Sequence, residues 1–193
     1  MAIKTFTTGE VLTAANTNTY LANAGLVYVK EQTFNNVAAV QIDNCFSSTY
    51  DNYRVTLNIY SAQSALPRYG RFRFVQGTTP FTTGYFGKSL WNDIASGSTT
   101  YVNQDNATDG GCTGPLGYLN TGEGSYDLDI HSPFLAKPTR AQMQGQGLYV
   151  GAYYTGVNGW TLQTNSISFL GLYFYANGNN ISGDVTIFGY RKA

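Results

Sequence analysis

The chain has 193 residues, of which 42% are hydrophobic and only 11% charged, enough for one all-β domain or a domain with a docking arm. Its 11 basic and 11 acidic residues cancel, which removes the basic excess that general nucleic-acid binding needs. The profile also excludes a coiled coil, a charged tail and a disordered chain. No apolar run reaches the ~18 residues of a membrane-spanning helix, so no membrane partner is expected.

The opening residues lack the apolar stretch of a signal peptide, so folding in a reducing cytoplasm is the expectation. There Cys45 and Cys112 would be thiols, small and buried, although the sequence leaves a single disulfide open. Polarity comes mostly from Asn, Thr, Ser, Gln and Gly, alongside 16 Tyr and 11 Phe. Tyrosine is favoured where one face is packed and one edge is wet, so the composition suits a protein held against other copies or a larger assembly.

Two regimes follow along the chain: an arm over 1–26 and a β-sandwich domain over 27–193. In the arm, Thr13 can cap a short helix over 14–23, which Gly25 can stop in the left-handed conformation. A helix of about ten residues is marginal alone in water, so the arm is expected to order by docking on something else.

From Leu26 onward, period-two patterns dominate. Strands are expected over 26–29, 37–42, 53–60, 71–75, 85–90, 126–130, 148–154 and 184–190, with a doubly buried central strand over 166–175. In the clearest, Tyr53, Val55, Leu57 and Ile59 face inward and Arg54, Thr56 and Asn58 outward. Phe72 and Phe74 alternate with Arg71 and Arg73, which marks the arginines as a solvent face rather than a binding patch. Turns are expected at 76–80, at Asn158-Gly159 and at Asn177-Gly178, because Asn-Gly suits a type I′ hairpin. The weakly patterned stretch 95–124 reads as a long loop. Many short strands with regular turns predict an all-β, jelly-roll-like antiparallel β-sandwich preceded by a short helical arm.

The inventory for chemistry is thin. His131, the single histidine, would have to serve any Ser-His-Asp or Cys-His arrangement, and its place at a strand end suits a hydrogen-bonded structural residue better. No set of His and Cys has zinc spacing, and no EF-hand or phosphate-cradling glycine loop is present, so no cofactor or metal is expected. Asp127 and Asp129 share one strand face about 7 Å apart, near a glycosidase separation. An outward face does not raise a carboxyl pKa, so a solvated face is the better reading and no enzyme activity is expected. Trp91 and Trp160 are the candidates for a glycan-stacking surface; the competing reading packs Trp160 over its own hairpin.

The segment 6–21, with Val11-Leu12-Thr13-Ala14-Ala15, Asn18 and Tyr20-Leu21 at its heart, resembles the amino-terminal segment of many tailed-bacteriophage virion proteins. The stretches 46–55 and 182–190 are similar to segments of the same proteins, and the three together cover about a fifth of the chain. The family often carries an acidic residue after Ala15, where this chain has Asn16. The resemblance implies a virion structural protein made in the bacterial cytoplasm, with Val11, Leu12, Thr13, Asn18, Tyr20 and Leu21 as the docking arm. Such proteins are capsid decoration, minor tail or tail-fibre components; the expectation is a capsid decoration or cement protein, a homotrimer on the major capsid protein, and the alternative is a tail-fibre or tail-tip module that recognises host glycan.

Overall fold

The computed structural model describes residues 7–11, 13, 25–60, 70–93, 96–108, 110–111, 123–149, 152–162, 168–176, 178 and 180–191. These form β1 (Leu26–Val37), β2 (Ala39–Ile42), β3 (Asn52–Tyr60), β4 (Gly70–Gln76), β5 (Thr79–Pro80), β6 (Tyr85–Asp93) and β7 (Thr99–Ala107). The remainder are β8 (Gly110–Gly111), β9 (Glu123–His131), β10 (Thr139–Tyr149), β11 (Ala152–Leu162), β12 (Gly171–Ala176) and β13 (Ile181–Tyr190). No helix occurs among the described residues. The expected helix over 14–23 lies outside them, as do Leu12, Asn18, Tyr20 and Leu21.

The strands build two antiparallel sheets, one of eight strands in the order β1-β13-β3-β9-β10-β11-β6-β7 and one of five, β2-β12-β4-β5 with β8 on β4. The arrangement is sandwich-like, because the inward faces of both sheets contribute to one core. Tyr53, Val55, Leu57, Leu128, Ile130, Val185 and Ile187 enter it from the large sheet, and Val40, Ile42, Phe72, Phe74, Leu172 and Phe174 from the small one. Phe74 is the hub: its ring stacks on Phe169 at 5.0 Å and lies near Phe46 and Tyr85.

Two buried tyrosines tie this core together through their hydroxyls. Tyr85 Oη accepts from the backbone N–H of Phe74 (2.9 Å) and donates to Phe81 O (3.1 Å), which joins β6 to the small sheet. Tyr53 Oη accepts from Ser47 N–H (2.8 Å) and donates to Ser47 O (3.0 Å). Each polar tip is satisfied, so burial of the ring carries no unpaired group.

The period-two expectation holds for β3, where Tyr53, Val55, Leu57 and Ile59 are buried, and for β4, where Phe72 and Phe74 are buried between half-buried Arg71 and Arg73. Four expectations need correction. Asn158-Gly159 is not a turn: it lies inside β11, paired with Met143 and Gln142 on one side and Ser89 and Lys88 on the other. Pairing on both flanks overrides the local turn preference. The expected strand over 148–154 instead covers the end of β10 and the start of β11. The 95–124 stretch is no simple loop, since it holds β7 and β8. The central strand of the small sheet begins at Gly171 rather than 166, and Tyr173 and Tyr175 on its outer side are only half-buried.

Candidate functional site

The outer face of the large sheet is a grid fixed by strand register. Tyr28, Phe188, Arg54, Asp129 and Gln142 form one cross-strand row. Thr186, Thr56, Asp127 and Gln144 form the next, and Asp184, Asn58, Ser125 and Gln146 the third. These positions alternate with the buried ones, so each side chain points away from the core.

The first row carries the densest contacts. Tyr190 Oη donates to Asp129 Oδ1 at 2.6 Å, and the Arg54 guanidinium approaches Asp129 at 3.6 Å and Asp127 at 4.0 Å. Burial pushes the Tyr190 hydroxyl up, and the Asp129 carboxylate that accepts its proton adds to this. In the third row Asn58 Nδ2 donates to Asp184 Oδ2 (3.1 Å), and Ser125 Oγ donates to Asn58 Oδ1 (2.8 Å). The three glutamines of β10 stand exposed beside these pairs.

Asp127 and Asp129 therefore share a face as the sequence indicates, both partly solvated beside a cation and not enclosed in an apolar pocket. Arg54 and Tyr190 are the partners that sequence reading missed. They come from β3 and β13, both far from β9 in the chain; in the sheet β3 pairs with β9, and β13 lies one strand further out beside β3.

His131 is exposed at the end of β9, with Nδ1 3.2 Å from Asn52 Oδ1 on the neighbouring strand. Cys45 is a free, buried thiol whose S–H faces Ile42 O at 3.5 Å; burial pushes its pKa up to about 12, so it has little thiolate character at neutral pH. Cys112 lies outside the described residues. No group of three His, Cys, Asp or Glu side chains forms a metal site among the described residues.

Trp91 and Trp160 occupy β6 and β11, Trp91 opposite Gly156 and Trp160 opposite Gly87 and the buried Ala141. Their side chains lie outside the described residues. In the arm, Thr7–Glu10 close a type II turn: Glu10 N–H donates to Thr7 O at 3.0 Å, and Gly9 supplies the positive φ of 87°. Thr7 N–H in turn donates to Glu10 Oε2 at 3.3 Å. Beyond the turn, Val11 is 78% exposed and Thr13 is exposed too. The chain matches no protein-family model and no curated protein.

Proposed function

We propose that this chain is a non-enzymatic structural protein of a tailed-bacteriophage particle, a decoration or cement protein that docks through its amino-terminal arm and stabilises the shell. The observation that carries the reading is the exposure of the described arm residues. Among the described residues, the packed cluster and the side chains against it begin at Val29, while Val11 presents an apolar side chain to solvent. Val11 thus has an apolar side chain left for burial against a partner. The resemblance of 6–21 to virion-protein arms points the same way.

The short helix after Thr13 and the jelly-roll-like character of the sandwich belong to this proposal, as does a trimer seated where capsid subunits meet. A ligand that binds only the assembled shell raises the shell's stability by mass action. Quantitative mass spectrometry of purified particles tests the reading. A copy number comparable to that of the major capsid protein, with loss of heat resistance in shells lacking this chain, is expected; absence from the particle would overturn it.

A second reading, a tail-fibre or tail-tip module for host glycan, is favoured by the large sheet's polar outer face. Exposed Gln142, Gln144 and Gln146 stand there beside carboxylates, and the exposed ring of Tyr28 lies on the same face at the β1 edge. A handful of copies per particle, with glycan binding by the purified chain, is the outcome that would select it.

A further inference from the structure

We infer that the end of the sandwich where the arm enters is itself a docking face, built to meet an acidic protein surface. This rests on the docking reading above and assigns it a second contact and a partner chemistry.

The arm joins the large sheet at Leu26, which pairs with Tyr190. Leu26 is 42% exposed and Tyr28, two residues on, is 60% exposed with its ring edge-on to Phe188 at 6.4 Å. Apolar area of this kind at one sheet corner matches the centre of a protein interface, where aromatic residues are enriched.

Cations flank it along the same end. Arg191 follows Tyr190, Arg140 pairs with His131, which pairs with Asn52, and Lys137 lies in the turn just before β10. Arg191, Arg140 and Lys137 are exposed, and none has an ion-pair partner among the described residues. Arg191, just past the end of β13, and Arg140 on β10 are separated by three strand spacings, about 14 Å.

The carboxylates of this face lie elsewhere or are engaged. Asp129 is held by Tyr190 and Arg54, and Asp127 and Asp184 lie progressively further along the strands. Asp51, half-buried, is the carboxylate that shares the cationic end. A chain of zero net charge therefore carries exposed cations along the end of the large sheet at which Leu26 enters. Three separated cations beside an apolar corner suit an acidic protein surface better than a nucleic acid, whose affinity scales with the number of phosphates neutralised.

The test uses the purified full chain on immobilised poly-L-glutamate and on immobilised duplex DNA, at neutral pH and low ionic strength. Retention on poly-L-glutamate, and elution of R140E/R191E at least ten-fold earlier in salt with an unchanged melting temperature, are expected. R73E, on the outer face of the small sheet, should elute like the parent. Equal elution of the parent and R140E/R191E, or an equal loss in R73E, would overturn the assignment, and so would tighter retention on DNA.

Incorporation into particles then separates the two readings. Full incorporation of R140E/R191E and of Y28A would overturn the docking face while leaving the virion reading intact. Absence of even the parent chain from particles would overturn the virion reading, while column retention would still report the acidic-surface preference.

Discussion

At Tyr85 a single hydroxyl satisfies a backbone donor and a backbone acceptor inside the core. Tyr85→Phe keeps the ring and orphans both, so it should cost about 1–3 kcal/mol in urea unfolding. A loss near zero would mean that water reaches these groups. Cys45 makes a different prediction. Burial raises its thiol from 9.0 to about 12, so the native state holds the proton more tightly than the unfolded chain. That contribution is present in full below the unfolded value and is lost as pH rises from about 9 towards 12, at up to about 1.4 kcal/mol per pH unit. Tyr53, also raised chiefly by burial, acts in the same direction. Cys45→Ala should therefore flatten the alkaline fall in stability, measured by denaturant melts between pH 8 and 11. An unchanged slope would assign that fall to the tyrosines.

Strand β10 shows where local pattern stops being informative. Its inward positions are Ala141, Met143, Gly145 and Gly147, and its outward ones are Arg140 and three glutamines. Small inward residues give no strong apolar alternation, so this strand was invisible to period-two reading, whereas β3 with Val55, Leu57 and Ile59 was plain. At Gly145 the missing volume comes from the adjacent strand: an added Cβ would strike the Tyr126 ring first and the Ser125 carbonyl oxygen next. Gly145→Ala should therefore destabilise by about 1–3 kcal/mol through overpacking. In a Tyr126→Leu background the same change should cost less, and a double-mutant cycle with no coupling would refute the aromatic cover. The polar face was legible to the same degree. Alternation placed Asp127 and Asp129 together, but the order β13-β3-β9 that brings Tyr190 and Arg54 to them is non-local and leaves no mark in a single sequence. The edge strand β1 was read as only four residues because its pattern breaks twice. Its register shifts between Tyr28 and Lys30 and again between Phe34 and Val37. Those bulges, with Lys30 drawn to Asp43 O at 2.6 Å and Glu31 exposed, blunt an edge that would otherwise invite further pairing.

For the whole molecule, the proposed reading requires that folding and docking use different residues. The core spans both sheets and closes through Phe46, Phe74, Tyr85 and Phe169, all contributed from beyond the arm. In the described part of the arm, Thr7 and Glu10 close a turn on each other through two hydrogen bonds. Deleting residues 1–24 should therefore leave the melting temperature within about 2–4 °C of the full chain, the shift that a change near 1 kcal/mol gives in a domain of this size. Under the proposed reading the same deletion should abolish incorporation into particles, because the surviving sandwich keeps only the proposed docking face with exposed Leu26 and Tyr28. Scanning calorimetry and particle mass spectrometry on one preparation read both quantities. A large fall in melting temperature would make the arm part of the fold, and an intact copy number would place docking entirely on the sandwich.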